Sequence, residues 1–250
     1  MNNPFSTIEH AIHELQNGRM VILVDDEDRE NEGDLVIAAE FVTPQDINFM
    51  SRFGKGLICL PMAEEMIDKL NLPMMAQHNR SPFGTAFTVS IEAAEGVSTG
   101  ISAKDRAHTI QAAIDSKTTP SDIISPGHVF PLRARSKGVL ERKGQTEGSV
   151  DLMKTAGLKP AAVICEIIND DGTMSRRDDL AQFSKVHNIA VVTIKDLIDY
   201  RIRHEVLIKA EATSRIPLQK FGDFNMTVFS SELDAGEHFA LIKKPLYANQ

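Results

Sequence analysis

The chain has 250 residues, of which 42% are hydrophobic and 25% charged, an ordinary globular composition that excludes fibrous and disordered classes. Twenty-seven Lys and Arg against 35 Asp and Glu give a net charge of −8, which disfavours nucleic acid as a partner because a polyanion is repelled. No apolar run approaches the roughly 18 residues of a membrane span, and the N-terminus carries no export signal, so we expect a cytoplasmic protein without membrane contact.

Capping signals and apolar spacing predict helices that alternate with strands over most of the chain. A capping box at Ser6 and Glu9 begins a helix that ends near Asn17, and a buried strand follows over residues 20–24. The later predictions, in chain order, are a helix from Thr43, strands over 56–60 and 87–91, a helix over 102–113, a strand over 129–132, a helix over 150–156, a strand over 161–168, a helix over 178–187, a strand over 189–193 and a helix over 196–204. This interleaving predicts an α/β layered domain with a mixed sheet.

The alternation stops after Glu205. Residues 215–241 read as short β segments punctuated by Gly222 and Gly236. A tail of about 45 residues is too short for a core of its own. We therefore predict one domain over residues 1–205 and a short β-rich C-terminal extension over 206–250.

Residues 25–34, with the sequence DDEDRENEGD, hold seven acids in ten positions directly after a buried strand. A solvated acidic loop is one interpretation. The other is a cation site, because carboxylates clustered at a strand end repel one another unless a cation compensates them. Oxygen ligands favour Mg²⁺ or Mn²⁺ over zinc, and the spacing is not that of a calcium-binding EF-hand loop.

A second candidate site is the glycine-containing loop that carries Arg142 and Lys143 and leads into a helix near Thr146. Helix N-terminal N–H groups and a flanking Arg favour an anion, so this loop is a possible phosphate cradle. Ordinary helix capping is the alternative.

Three single residues are further candidates. Glu166 interrupts an apolar strand and must face a cation, a hydrogen-bond network or a site. His128 is either a general acid or base or a structural histidine. Cys59 lies inside a strand and reads as a small buried hydrophobe. These residues and the two loops together predict a metal-assisted enzyme acting on a small phosphorylated substrate.

Four segments, taken in order, resemble the 3,4-dihydroxy-2-butanone 4-phosphate synthase family of riboflavin biosynthesis. They are residues 25–34, 87–96 (FTVSIEAAEG), 126–133 (PGHVFPLR) and 169–174 (NDDGTM). The resemblance covers residues 5–205. It implies a homodimer of three-layer α/β/α sandwich subunits that acts as a lyase, with sites near the subunit interface. The implied reaction takes D-ribulose 5-phosphate to L-3,4-dihydroxy-2-butanone 4-phosphate and formate, with two Mg²⁺ or Mn²⁺ ions per site and no zinc.

The same resemblance implies roles by motif position. The metal ligands would be Glu30 and Gln145. The catalytic residues would be His128, Glu166, Glu32 and Cys59, with His128 and Glu166 handling protons. The residues that bind the sugar or its phosphate would be Arg29, Glu30, Asp34, Arg142, Lys143, Gly144, Gln145, Thr146 and Glu166.

The chain departs from the family pattern at Gln145, where the family has a metal-binding His, and at Lys137, where a Gly is usual. A glutamine oxygen can coordinate Mg²⁺ but cannot accept a proton near neutral pH. Two alternatives therefore stay open. One is an inactive or weakly active paralogue that binds a sugar phosphate or a partner protein. The other is a related enolisation of a different sugar phosphate.

The C-terminal extension resembles the first strands of GTP cyclohydrolase II, which many bacteria fuse to this synthase. The resemblance lies in residues 211–217 and 236–241. No cysteine follows Cys165, so we expect the zinc-dependent second activity not to be encoded in this sequence.

Overall fold

The computed structural model describes residues 5–232 and 236–243. Residues 1–4, on which the expected absence of an export signal rests in part, lie outside this description. So do residues 233–235 and 244–250 of the predicted extension. Tertiary contacts divide the chain into two compact units, Met1–Asp199 and Tyr200–Gln250; the family assignment of the two predicted domains stays a prediction.

The first unit is built on a seven-stranded mixed sheet with strand order β4-β5-β3-β6-β2-β1-β7. Its strands are β1 (Val21–Val24), β2 (Gly33–Ala38), β3 (Cys59–Met62), β4 (Ile91–Ala93), β5 (Ile123–Arg133), β6 (Ala162–Glu166) and β7 (Ala190–Thr193). Strands β1 and β7 are parallel, as are β3 and β5, and the other neighbours are antiparallel. Consequently the C-terminal ends of β1 and β6 and the N-terminal ends of β2 and β3 lie together along one side of the sheet, here called one edge of the sheet.

In the part of the chain that the structure describes, seven α-helices accompany these strands. They are α1 (Ile8–Gln16), α2 (Pro44–Phe49), α3 (Glu64–Lys69), α4 (Ala103–Ile114), α5 (Gln145–Thr155), α6 (Arg177–His187) and α7 (Ile194–His204). On one face of the sheet Ile22 belongs to the same buried cluster as Ile47 of α2 and Ile110 of α4. Its neighbour Leu23 points to the other face, where it lies against Gly148 of α5. Helices on both faces confirm the predicted three-layer α/β fold.

Several predicted elements are displaced or missing. The cap of α1 is Thr7, whose hydroxyl accepts the N–H of His10, rather than Ser6. Helix α5 begins at Gln145, next to the helix start near Thr146 that the loop predicted and five residues before the start that the apolar spacing predicted. Polar residues fill the first turn, so the apolar spacing marked only the later turns. Strand β2 was not predicted, since its first residues belong to the acidic segment. Of residues 87–91, only Ile91 belongs to a strand.

The second unit contains an antiparallel sheet of three strands, β8 (Ile208–Leu218), β9 (Gly222–Ser231) and β10 (His238–Lys243). Most of its residues are exposed or half-buried. This agrees with a β-rich extension that has little core. Within the described ranges, no helix combines the length and apolarity that crossing a membrane requires.

Candidate active site

The acidic segment forms the turn between β1 and β2, and its first carboxylate organises it. The side chain of Asp25 is fully buried. Its two oxygens accept the backbone N–H groups of Glu30 at 3.2 Å and Glu32 at 2.9 Å. The segment is therefore an ordered loop at the ends of the strands. The interpretation as a solvated acidic loop fits Asp26, Glu27 and Asp28, which are exposed, but not the buried Asp25 and Asp34.

Arg29 places one cationic nitrogen between three oxygens. Its Nη1 lies 2.7 Å from Oδ2 of Asp25, 2.9 Å from Oε1 of Gln145 and 3.0 Å from Oε2 of Glu30. The guanidinium also lies 5.0 Å from the ring centroid of Phe83, close enough for a cation–π contact. The arrangement brings both candidate metal ligands, Glu30 and Gln145, to the same point.

Gln145 is the first residue of α5 and is only 6% exposed. Its Oε1 accepts from Arg29, but its Nε2 has no hydrogen-bond partner among the described residues. A buried amide N–H₂ without an acceptor is unfavourable, and in native proteins such a group usually has a ligand or water as partner. The orphaned donor therefore points to an oxygen acceptor that binds beside Arg29.

Two acidic side chains face each other at the same edge of the sheet. Asp34 of β2 and Glu166 of β6 are register partners. Burial raises the pKa of Asp34 well above its usual range, and the charge of Glu166 raises it further. Burial likewise raises the pKa of Glu166, although its Oε2 accepts the N–H of Leu57 at 2.8 Å. Burial and the charge of Glu30 raise the pKa of Glu32. These groups hold protons to higher pH than ordinary carboxylates, which suits general acid–base chemistry.

Cys59 begins β3 and is buried. Burial raises its thiol pKa strongly, and the nearby charges of Glu166 and Asp34 raise it further. The thiol is protonated at neutral pH, and only a thiolate is a good nucleophile. Cys59 thus lines the site close to the acidic pair as an uncharged side chain and is not a nucleophile in this state.

Arg142 is held by three partners on neighbouring segments. Its Nη1 donates to Oε2 of the buried Glu147 at 2.5 Å, its Nη2 to Oγ1 of Thr85 at 3.1 Å and its Nε to the carbonyl of Phe83 at 3.1 Å. Burial raises the pKa of Glu147, whereas the Arg142 charge lowers it. Arg142 therefore fixes the loop that carries Phe83 against the start of α5.

The predicted phosphate cradle is partly assembled. A Cβ added to Gly144, the N-cap of α5, would lie 2.3 Å from Nη1 of Arg142 and 3.1 Å from Nη2 of Arg29. Two guanidinium groups thus flank a helix N-terminus, an arrangement that favours a phosphate. Lys143 is exposed beside it, and Thr146 is buried in the first turn of the helix.

His128 lies on β5 with its side chain 43% exposed. Its Nδ1 lies 2.7 Å from Oε2 of Glu92, a buried residue of β4 whose other carboxylate oxygen has no partner among the described residues. The pairing partner of His128 is thus Glu92, not the acidic pair Asp34 and Glu166. A carboxylate on Nδ1 orients the ring and selects its tautomer.

Comparison with known proteins decides the family. The sequence profile of 3,4-dihydroxy-2-butanone 4-phosphate synthase matches residues 9–200. The chain belongs to the 3,4-dihydroxy-2-butanone 4-phosphate synthase family. The synthase of Neisseria meningitidis serogroup A is 54% identical over 239 residues, which are 95% of this chain and 65% of that protein. This chain thus spans slightly less than two thirds of that relative.

Solved structures of the synthase family superpose closely. RibBX, described as a two-domain synthase from A. baumannii, has a TM-score of 0.86 and 46% identity over 96% of this chain and 70% of that one. A synthase in complex with two magnesium ions has a TM-score of 0.78 and 42% identity, covering 80% of this chain and 99% of that one. The mixed α/β fold of this chain is therefore the fold of the synthases.

The oxygens around Arg29 fit a divalent metal of the kind bound by that synthase. Carboxylate and amide oxygens are ligands for Mg²⁺ and Mn²⁺, and here they already converge on a positive charge. Within residues 5–232 and 236–243, no group of three or more His, Cys, Asp and Glu side chains is arranged to hold a metal. Two chain ligands, Glu30 and Gln145, would leave the remaining coordination positions to water or substrate.

Sequence reasoning missed four residues of this region: Asp25 as the organiser of the acidic loop, Phe83 over Arg29, Glu147 against Arg142, and Glu92 against His128. Asp25 and Glu92 lay inside segments that carry the family resemblance. Their individual contacts required the fold. Phe83 lies in a loop with no periodicity, and no sequence signal identifies it.

Proposed function

We propose that the chain is a lyase that converts D-ribulose 5-phosphate to L-3,4-dihydroxy-2-butanone 4-phosphate and formate, in the cytoplasm and with Mg²⁺ or Mn²⁺. The observation that carries this proposal is the convergence of Glu30 and Gln145 on one cationic position, beside carboxyl groups whose pKa is raised. The atoms of the substrate equal those of the two products. The water released on dehydration is therefore taken up again when formate leaves. The conversion needs proton transfers, a skeletal rearrangement with cleavage of one C–C bond, and charge stabilisation, but no oxidant.

The divalent ion would be held by Glu30 and Gln145 and, when bound, supplies Lewis-acid polarisation of the ketone and neighbouring hydroxyl oxygens. The relative with two magnesium ions supports two ions per site. The unpartnered Nε2 of Gln145 donates to an oxygen of the sugar. Arg142 and the N-terminus of α5 bind the phosphate, with Lys143 at the rim.

Proton transfer during enolisation and dehydration is assigned to the carboxyl groups. The buried Asp34 and the half-buried Glu166 face each other, so each takes up a proton more readily while the other is ionised, and the pair can hold and pass on one proton. Glu32 and Arg29 line the sugar on the loop side. His128, oriented by Glu92, is the proposed second proton carrier.

A homodimer with sites near the interface is the proposed assembly. Two large apolar side chains beside the candidate site are solvent-exposed in the single chain, Leu57 at 42% and Phe83 at 44%. Leu57 binds Glu166 through its N–H, and Phe83 stacks on Arg29. Covering these side chains would exclude water from the site. Light scattering should give twice the chain mass of 27.6 kDa.

For the second unit, we propose kinship with the beginning of GTP cyclohydrolase II. The antiparallel hairpin of β8 and β9 is compatible with that proposal. The proposal carries no second catalytic activity.

The decisive experiment is formate release from ribulose 5-phosphate with Mg²⁺, measured for the native chain and for Gln145→His. We expect the native chain to be active and the variant to be more active at low Mg²⁺. An inert native chain with an active variant would establish a lapsed paralogue, the alternative that Gln145 itself favours. Inertness of both would point to another sugar phosphate or to a binding role.

A further inference from the structure

The guanidinium of Arg29 lies where the two candidate metal ligands meet. Oε1 of Gln145 and Oε2 of Glu30 lie 2.9 and 3.0 Å from the same atom, Nη1 of Arg29. Nη1 therefore lies within hydrogen-bonding distance of both oxygens, and its charge would repel a divalent ion held by the same two oxygens. Arg29 in this conformation disfavours an ion at these oxygens.

Several contacts hold Arg29 in this position. Besides the two candidate ligands, the buried carboxylate of Asp25 accepts from Nη1 at 2.7 Å, and the ring of Phe83 lies 5.0 Å from the guanidinium. Only 16% of the Arg29 side chain is exposed. Arg29 is therefore packed into the site, and its conformation is not that of a mobile surface side chain.

The buried carboxylate of Asp25 has hydrogen-bond partners other than Arg29. Asp25 also accepts two backbone N–H groups, from Glu30 and Glu32. Neither of these bonds involves the guanidinium of Arg29. When the guanidinium moves away, a divalent ion bound by Glu30 would replace the lost positive charge.

Gln145 favours the guanidinium of Arg29 over the divalent ion. Its neutral amide oxygen is a good acceptor for a guanidinium N–H and brings no negative charge towards a divalent ion. The same side chain leaves its Nε2 unpartnered in the Arg29-bound arrangement. An oxygen ligand beside the displaced Arg29 would satisfy that donor.

We propose that Arg29 competes with the divalent ion for Glu30 and Gln145, so that the guanidinium must move away from these two side chains for them to hold the ion. The proposal rests on the metal site of the proposed function. On this proposal, the affinity of the protein for the ion is lowered by the competing guanidinium of Arg29. Phe83, whose ring lies against that guanidinium, stabilises Arg29 in the competing position.

The test is a titration of the full chain with Mn²⁺, in which free Mn²⁺ is measured by electron paramagnetic resonance without substrate. Arg29→Met should bind Mn²⁺ roughly tenfold more tightly than the native chain, the scale on which neighbouring groups alter metal affinity. Lys195→Met, which removes an exposed positive charge from a pocket that Asp25 and Asp26 also line, is the matched control and should change affinity less than twofold. Phe83→Ala keeps Arg29 and Asp25 and should tighten binding by a smaller factor.

Gln145→His separates the two proposals. If it binds Mn²⁺ while Arg29→Met and Phe83→Ala bind no more tightly than the native chain, the competition is overturned and the metal site stands. If no variant binds Mn²⁺, the metal site itself is overturned, and the competition with it. Should Arg29→Met be unfolded by circular dichroism, Phe83→Ala decides. Equal tightening by Lys195→Met would show that loss of any nearby positive charge tightens Mn²⁺ binding, and it would overturn the specific role of Arg29.

Discussion

Asp34 and Glu166 are register partners on neighbouring antiparallel strands, and burial raises the pKa of both carboxyl groups. Like charges placed opposite each other on a sheet are destabilising. The pair is therefore most stable when at least one member is protonated. A carboxyl pair that holds a proton at neutral pH can donate and accept protons, as enolisation requires. The raised pKa of the pair also affects the pH dependence of stability.

Replacing Asp34 by Asn should stabilise the protein at neutral pH. The pKa of Asp34 is raised on folding, so stability is lost as pH rises from about 4, where the unfolded carboxyl ionises, towards the folded pKa. Asp34→Asn removes this loss and should raise the free energy of unfolding at pH 7 by at least about 1 kcal/mol, with little effect at pH 3. Urea unfolding at both pH values measures it.

Asp26→Asn is the matched control, because Asp26 is exposed in the same loop and should leave the free energy of unfolding within about 0.5 kcal/mol. A loss of stability in Asp34→Asn at pH 7 would mean that the ionised carboxylate is stabilising in the folded protein, contrary to the burial argument.

Gly56 keeps Glu166 in place. A Cβ on Gly56 would lie 2.4 Å from Oε2 of Glu166 and 2.7 Å from its backbone nitrogen, so Gly56→Ala must displace the carboxylate. Turnover of ribulose 5-phosphate should fall roughly a hundredfold, as displacements of about 1 Å do in active sites. In a Glu166→Gln background the same change should add little, since neighbouring effects are not additive. Independent, additive losses would show that Gly56 acts elsewhere.

The prediction of the fold succeeded where local signals and tertiary packing agree. The buried strand over residues 20–24 corresponds to β1 because an apolar run bounded by turn signals has one stable placement. Strand β2 was hidden because Gly33 and Asp34 belong to an acidic run, and only pairing with β1 and β6 makes a buried Asp tolerable there.

The site was predictable in its residue types but not in its pairings. The resemblance named Arg29, Glu30 and Gln145 separately, whereas their meeting at one nitrogen depends on how the β1–β2 turn packs on α5. Such long-range contacts carry no periodic signal in the sequence. The partner of His128 was missed for the same reason, because Glu92 reaches it only through the register of β4 and β5.

Glu30→Gln should raise the Mg²⁺ concentration that turnover requires, without unfolding the protein. The carboxylate is partly exposed and pairs with Arg29, so its loss removes the charged metal ligand and leaves the loop bonds of Asp25 intact. The Mg²⁺ concentration for half-maximal formate release should rise at least about tenfold. Glu27→Gln, an exposed acid of the same loop, is the control. An unchanged Mg²⁺ dependence in Glu30→Gln would remove Glu30 from the metal site.

Glu92 is a positioning residue if His128 carries protons. Its carboxylate lies 2.7 Å from Nδ1 of His128 and is buried, so it holds the imidazole ring in one orientation. Glu92→Gln keeps the size but loses the charge. We expect kcat to fall about ten- to a hundredfold, the range for general acid–base groups, with KM within twofold and an unchanged melting temperature. Glu95→Gln, an exposed neighbour, should leave kcat unaltered. A fall in melting temperature with kcat preserved would assign Glu92 to stability alone, because a buried carboxylate that only braces the β4–β5 pair has no reason to act on the rate of proton transfer.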